Sequence, residues 1–293
     1  MAQPVNPELL KVIGAPAPDV APLPPAVVHA SGVRTLRALP YAEVEGSRPL
    51  ELDLWLPRDS GAPHPLVLFV HGGAWRRGRR DDMGLRTRHW EPGPFARMAA
   101  AGLAVATVDY RLSGETTFPG PLDDLRSALR WLTLRRTELC IDPTRTVVWG
   151  ESAGGHLASL LALTRPGPSL AGAVIWYGPS DLTAAGPGTP EALLLGADPA
   201  TVADRARQAS PLTHVHAAAP PFLLVHGEQD SMVPCAHSER LAAGLGEAGA
   251  RAELWTVPGS DHVWYGLPDE QVEAVFARSL NFATDLLLGP GRP

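Results

Sequence analysis

The residue of this sequence that most clearly predicts chemistry is Ser152, the centre of Gly150-Glu151-Ser152-Ala153-Gly154. A serine hydroxyl becomes a nucleophile when a neighbouring base removes its proton. Residues 145–149 before the pentapeptide are short, β-branched and apolar, whereas residues 155–163 after it carry apolar side chains at helical spacing. This context predicts a sharp turn from a strand into a helix, which needs small neighbours and would lift the hydroxyl above a sheet.

Two further side chains have the placement that a base and its supporting acid require. His262 lies in a loop after the last predicted strand and before the last long predicted helix, from which its ring could reach Ser152. A carboxylate must hold the tautomer of such a base, and Asp230 follows another predicted strand in a suitable loop. We therefore predict that Ser152, Asp230 and His262 act together. Three alternative carboxylates remain for the acid: Glu228, Asp181 and Asp261.

A glycine pair follows the predicted strand at residues 66–70, in His71-Gly72-Gly73-Ala74-Trp75. Acyl transfer develops negative charge on a substrate oxygen, and backbone amides next to glycines can approach that oxygen closely. We predict an oxyanion hole made of the amides of Gly72, Gly73 and Ala153. Three neighbours of these motifs are candidate walls of a substrate pocket: Trp75, Glu151 and Trp264.

The composition excludes several classes of function. Hydrophobic residues make up 45% of the chain and charged residues 19%, and no apolar run approaches the roughly 18 residues of a membrane span. A net charge of −6 argues against nucleic acid as a partner. The sequence has neither metal-ligand spacing nor a dinucleotide-binding glycine fingerprint, so we predict a small-molecule substrate with no metal and no cofactor. The N-terminal residues do not resemble a secretory signal, and we expect a cytoplasmic protein.

From about residue 36, strand-like runs alternate with helical ones, which is typical of a mostly parallel sheet covered by helices on both faces. Residues 1–35 are rich in proline and predict an N-terminal arm or lid segment, with at most a short helix near residues 7–13. We expect one catalytic domain at residues 36–290, with a cap or insertion at 182–219. The candidate site residues follow the carboxyl ends of strands, where open parallel sheets form their ligand crevice. The strand candidates are residues 50–56, 66–70, 104–110, 146–149, 172–177, 221–225 and 251–257.

With these motifs, the chain resembles the esterase/lipase branch of the α/β-hydrolase superfamily over about residues 38–285. It is most similar to bacterial serine carboxylesterases of the H-G-G-x-W type, grouped with feruloyl-esterase-like and kynurenine-formamidase-like enzymes. The resemblance implies a mostly parallel, eight-stranded α/β-hydrolase sheet, and the chain order Ser152, Asp230, His262 is the order of that fold. It also rests on Val108-Asp109-Tyr110-Arg111-Leu112, Phe118-Pro119, Leu122-Asp123-Asp124, Ala209-Ser210-Pro211-Leu212-Thr213 and His226-Gly227-Glu228-Gln229-Asp230.

Three functions are compatible with these residues. The first is a serine carboxylesterase that hydrolyses small to medium acyl esters through an acyl-enzyme intermediate. The second keeps the same machinery but cleaves another bond, as an aryl formamidase of the kynurenine-formamidase kind or a small-peptide hydrolase. The third is a non-catalytic ligand receptor on a hydrolase fold, which the intact set of Ser152, Asp230 and His262 argues against. The oligomeric state stays open, with a homodimer among the alternatives.

Overall fold

One sheet of nine strands runs through the part of the chain that the computed structural model describes, residues 17–164 and 170–290. The strands are β1 (Val27–Val28), β2 (Arg34–Ala42), β3 (Leu50–Leu56), β4 (His64–Val70), β5 (Ala104–Val108), β6 (Ile141–Glu151), β7 (Gly172–Trp176), β8 (Phe222–Gly227) and β9 (Ala252–Val257). Their order across the sheet is β1-β2-β3-β5-β4-β6-β7-β8-β9. The pairs from β1 to β5 are antiparallel, whereas every pair from β5 to β9 is parallel. The prediction of a mostly parallel sheet is confirmed.

The predicted number of eight strands is wrong by one, and the edge formed by β1 and β2 was missed. β1 is two residues long, and β2 contains Pro40 and two register shifts in its pairing with β3. Proline and bulges near a sheet edge interrupt the alternation by which a strand is recognised. The domain boundary predicted at residue 36 is also corrected. It falls inside β2, and residues 27–28 already pair with β2 in the sheet. The short helix predicted near residues 7–13 lies outside the described residues.

Helices cover both faces of the sheet, as predicted. Along β4, Leu66, Leu68 and Val70 join one buried cluster, while the alternating Val67 and Phe69 join another. The first cluster includes buried side chains of the helices Gly120–Leu134, Ala153–Thr164 and Ala236–Glu247, and the second includes those of the helices Pro94–Ala100 and Asp269–Leu288. None of these helices, in the part of the chain described, combines the length and apolar character needed to cross a membrane. The helices are α1 (Pro94–Ala100), α2 (Gly120–Leu134), α3 (Arg136–Leu139), α4 (Ala153–Thr164), α5 (Pro190–Leu195), α6 (Ala203–Gln208), α7 (Ala236–Glu247) and α8 (Asp269–Leu288).

The segment 182–219, predicted as a cap or insertion, packs against the same core as the sheet. It contains α5, α6 and two short 3-10 turns. Its buried residues Leu194, Leu195, Ala206 and Ala209 belong to the cluster that also includes α4. The helix after Ser152 is therefore covered from outside by this segment.

Candidate active site

Ser152 lies in a tight turn between β6 and α4, as the sequence predicts. Its backbone has a left-handed φ of 51°, which turns the chain sharply from strand to helix. A side chain at Gly154 would overlap the backbone carbonyl oxygen of Val70, so only glycine fits against the neighbouring strand. The Ser152 amide donates to the carbonyl oxygen of Trp176 at 2.8 Å, which ties the turn to β7.

The structure brings the three predicted partners within hydrogen-bond distance. Nε2 of His262 lies 3.0 Å from Oγ of Ser152, and Nδ1 of the same ring lies 2.7 Å from Oδ2 of Asp230. An ionised carboxylate only accepts hydrogen bonds, so Nδ1 carries the proton and Nε2 is left to accept from the hydroxyl. This is the tautomer that a general base for Ser152 needs.

Hydrogen bonds to both oxygens hold Asp230 as a carboxylate. The amides of Met232 and Val233 donate to Oδ1 at 3.0 and 2.8 Å, while His262 and His226 face Oδ2. Burial by itself raises the pKa of Asp230, but hydrogen bonds from His226 and His262 outweigh burial and hold that pKa well below its usual range. The side chain is therefore ionised at neutral pH and can stabilise positive charge on the neighbouring imidazole.

The three alternative carboxylates bind other groups in the structure. Oδ1 of Asp261 accepts the amide of His262 at 2.6 Å and that of Ser231 at 2.7 Å, so it fixes the loop backbone rather than the ring. Within the described residues, the carboxylate that contacts the His262 ring is that of Asp230. The remaining two alternatives pair elsewhere, Glu228 with Thr256 and Asp181 with Arg240.

The glycine loop after β4 differs from the prediction at one amide. The Gly72 amide donates to Oε1 of Glu151 at 3.3 Å, so it is occupied inside the protein rather than free for a substrate oxygen. Gly73 has a φ of 113°, and a side chain there would overlap the carbonyl oxygen of Arg77. The amides of Gly73 and Ala153 have no acceptor among the described residues, which leaves them available for an oxyanion.

Glu151 braces the glycine loop instead of lining an open pocket. It is 6% exposed, and its Oε2 accepts the hydroxyl of Tyr177 at 2.7 Å while Oε1 accepts the Gly72 amide. Burial raises the pKa of Glu151, and the two hydrogen bonds offset that effect only in part. The Tyr177 ring also lies 4.7 Å from that of His262, so this carboxylate connects the glycine loop to the base.

The two tryptophans predicted as pocket walls are buried as well. Trp75 donates its indole N–H to Nδ1 of His156 at 3.2 Å, and Nε2 of His156 donates to the carbonyl oxygen of Ala209 at 2.6 Å. Burial lowers the pKa of His156 to about 4, which keeps the ring neutral. Trp264 packs edge-on against Tyr177. Both indoles therefore support active-site segments from the interior.

Arg86 is a functional candidate that the sequence reasoning missed. Its guanidinium donates to the carbonyl oxygens of Trp264 and Leu267 at 2.7 and 2.8 Å, and to the carboxylate of Asp269 at 2.6 Å. These contacts join the segment after His262 to the long connection between β4 and β5, residues 71–103. No local pattern marks Arg86, because the contact joins loops that are distant in sequence.

A cavity of about 940 Å³ lies beside this connection, between residues 79–96 and strands β2 and β3. Its wall includes the aromatic side chains of Trp55, Trp90 and Phe95. Because carboxylates neutralise the arginines of the wall, the cavity offers aromatic surface and matched charges rather than a positive field. The ion pairs are Arg37–Asp53, Arg79–Asp81, Arg80–Asp53 and Arg88–Asp82.

The sheet order, the serine turn and the contacts of Ser152 with His262 and of His262 with Asp230 define an α/β-hydrolase. The model of the BD-FAE family matches residues 52–245, and the chain belongs to the BD-FAE family. The matched range contains the glycine loop, the serine turn and Asp230, and it ends before His262.

Curated relatives and solved structures that are similar to the chain include esterases. Esterase LipQ of Mycobacterium tuberculosis is 30% identical over 249 residues, which cover 77% of this chain and 56% of LipQ. The chain spans about half to two thirds of the length of the curated relatives LipQ, LipM and LipC. A truncated carbohydrate esterase from gut microbiota superposes with a TM-score of 0.74 at 25% identity, over 87% of this chain and 96% of that chain. A thermophilic esterase of the planctomycete Thermogutta terrifontis superposes with a TM-score of 0.71 at 23% identity, over 87% of this chain and 94% of that chain. This second structure shows that the two proteins share a fold.

Proposed function

We propose that the protein is a serine carboxylesterase that hydrolyses small to medium acyl esters through an acyl-enzyme intermediate. The observation that carries the proposal is the continuous contact from Ser152 Oγ to His262 Nε2 at 3.0 Å and from His262 Nδ1 to Asp230 at 2.7 Å. The esterase relatives support the same class of reaction. A nucleophile, a base and an orienting carboxylate in this geometry suit acyl transfer without a cofactor.

In the first half of the reaction, Ser152 Oγ attacks the ester carbonyl carbon and its proton passes to His262 Nε2. The carboxylate of Asp230 stabilises the imidazolium that results. The carbonyl oxygen becomes an oxyanion, for which the amides of Gly73 and Ala153 are the proposed donors. His262 then gives its proton to the leaving alkoxide oxygen, and the alcohol departs from the acyl-enzyme.

In the second half, water replaces the alcohol. His262 Nε2 takes a proton from the water, whose oxygen attacks the acyl carbon, and the proton then returns to Ser152 as the carboxylic acid leaves. The Gly72 amide has no direct part in either half, because it is bound to Glu151. Its contribution is to hold the loop that presents Gly73.

Substitution of the nucleophile tests this proposal. Ser152→Ala should lower kcat for p-nitrophenyl acetate by about 10⁴–10⁶-fold, since loss of a nucleophile or base costs that much in serine hydrolases. The wild-type protein, but not the variant, should also be labelled by a fluorophosphonate probe. Circular dichroism and thermal unfolding of the variant serve as controls for folding. Hydrolysis by Ser152→Ala at the wild-type rate would rule out the proposed nucleophile.

A panel of acyl esters measured beside N-formylkynurenine and short peptides tests the bond that is cleaved. The esterase proposal requires the largest kcat/KM on esters. Faster turnover of the formamide or of a peptide would replace the proposed substrate class while keeping the same nucleophile.

A bacterial, cytoplasmic setting belongs to the same proposal. Cys140 and Cys235 are both free thiols in the structure, which suits a reducing compartment. LipQ, LipM and LipC are bacterial proteins.

A further inference from the structure

A second histidine contacts the carboxylate of Asp230. His226 lies in β8, and its ring is fully buried. Its Nε2 atom lies 2.8 Å from the carbonyl oxygen of Val233 and 3.3 Å from Oδ2 of Asp230. Oδ2 is also the atom that accepts from Nδ1 of His262. One carboxylate oxygen therefore lies between two imidazole rings.

The neighbours of His226 fix its proton. Both atoms near Nε2, a carbonyl oxygen and a carboxylate oxygen, can only accept, so Nε2 carries a hydrogen, which it donates to the carbonyl oxygen of Val233 while lying 3.3 Å from Oδ2 of Asp230. The other ring nitrogen, Nδ1, lies 2.7 Å from Oγ of Ser238 in α7, and a hydroxyl can serve as its partner. The ring is thus held from both sides, and its protonated Nε2 lies next to Asp230.

We propose that His226 is a positioning residue of the active site, which acts on His262 through Asp230. This inference rests on the proposed esterase function. The amides of Met232 and Val233 fix Oδ1, whereas His226 places its protonated Nε2 3.3 Å from Oδ2 and also binds the carbonyl oxygen of Val233. The His226 ring adds a contact beside Oδ2 to the bonds from His262 and the two amides, which further restricts rotation of the carboxylate and keeps its lone pair aligned with the His262 ring.

The same contact sets how strongly Asp230 holds the proton on His262. The partial positive charge of the His226 N–H offsets part of the negative charge on Oδ2, which weakens the attraction of the carboxylate for a protonated imidazole. Without that N–H, the carboxylate of Asp230 attracts the imidazolium formed during the reaction more strongly. The other titratable side chains close enough to influence Asp230 or His262 are Glu151, Tyr177, Cys235, His237 and Asp261, none of which donates to Asp230 within the described residues.

The test compares His226→Phe with His226→Gln in the full chain. Phe fills the space without a donor, whereas the Gln side chain can place an amide N–H near the position of Nε2. For p-nitrophenyl acetate we expect His226→Phe to lower kcat roughly tenfold with little change in KM. We also expect the acid limb of kcat/KM against pH to move to higher pH, and His226→Gln to restore both properties in large part.

His64→Phe is the matched control, because His64 is also a buried histidine but begins β4 at the opposite end of the parallel strands. It should leave the acid limb where it is in the wild-type protein. Ser238→Ala, which removes the partner of Nδ1 but keeps His226, should move the limb in the same direction by a smaller amount. If His226→Phe does not fold, Ser238→Ala carries the test, with His64→Phe as its control.

A spectroscopic readout separates this inference from the proposed function. The proton between His262 and Asp230 should give a far-downfield ¹H NMR signal without any substrate, identified by its loss in His262→Gln. In His226→Phe that signal should shift or broaden. An unchanged signal together with an unchanged acid limb would overturn the inference. Full hydrolysis by Ser152→Ala would instead overturn the proposed nucleophile, whatever the His226 variants do.

Discussion

Replacement of Glu151 tests whether this carboxylate positions the glycine loop. It accepts two donors, the Gly72 amide at 3.3 Å and the Tyr177 hydroxyl at 2.7 Å. Glu151→Ala leaves both donors buried without a partner, at about 1–3 kcal/mol each, so the free energy of unfolding should fall by about 2–6 kcal/mol. Displacement of the loop from the oxyanion should lower kcat by up to about 10²–10³-fold, the usual effect of losing one donor.

Glu151→Gln is the matched control for this prediction. Its side-chain oxygen can accept the Gly72 amide, while its N–H can donate to the Tyr177 hydroxyl, which also accepts. We therefore expect kcat within about fivefold of the wild-type value. The assay is kcat and KM for p-nitrophenyl acetate, with urea unfolding of all three proteins. The reasoning is refuted if the Gln variant is as slow as the Ala variant, or if the Ala variant keeps wild-type kcat.

The same pair of proteins tests the electrostatics of Glu151. Because burial raises its pKa, the folded state keeps the proton to higher pH than the unfolded state does. As pH rises from the ordinary glutamate pKa of about 4.3 towards the raised pKa of Glu151 in the folded state, this group lowers the stability of the wild-type protein. Glu151→Gln has no proton to lose. The wild-type free energy of unfolding minus that of the variant should therefore decrease across this window, and a pH-independent difference would contradict the shift.

Arg86 and His156 carry the remaining predictions. Arg86→Met removes the donors that hold the segment after His262, so kcat/KM for p-nitrophenyl acetate should fall about tenfold, and Arg86→Lys should restore it only in part because lysine lacks the planar fork. Unchanged kinetics in Arg86→Met would show that the segment after His262 keeps its position without Arg86. Because burial lowers the pKa of His156 to about 4, the folded state binds fewer protons than the unfolded state from there up to about 6.5, and stability should be lost as pH falls through this window. Urea unfolding from pH 7 downward should show a smaller acid loss in His156→Gln, whereas parallel profiles would contradict the shift.

The sequence predicts the site best where the backbone itself restricts residue types. The left-handed turn at Ser152 leaves no room for side chains at positions 150 and 154, so the glycines there form a short pattern that can be recognised in the sequence. Parallel strands bring their carboxyl ends to one edge, so the positions of Asp230 and His262 after strands imply that they can meet Ser152. These two constraints suffice to predict the meeting of the three side chains.

Features that depend on side-chain direction or on irregular strands could not be predicted in the same way. Pro40 and the register shifts of β2 hide a strand whose pairing with β3 is clear in the structure. Nothing local indicates that the Glu151 side chain turns toward Gly72, 79 residues earlier, and not toward the substrate. In the sequence, His226 is only the first residue of the motif that ends at Asp230, and the distance between the two side chains follows from the turn between them, which only the fold specifies.

The chain of hydrogen bonds from Ala209 through His156 to Trp75 limits how segment 182–219 can be exchanged between related hydrolases. Position 209 contributes a backbone carbonyl, which every amino acid possesses, so an alignment of residue types would not register the requirement. A chimera that carries this segment with one residue more or fewer before position 209 would move that oxygen away from His156. The indole next to the glycine loop would then lose its anchor, and turnover would suffer although every residue at the reacting centre was unchanged.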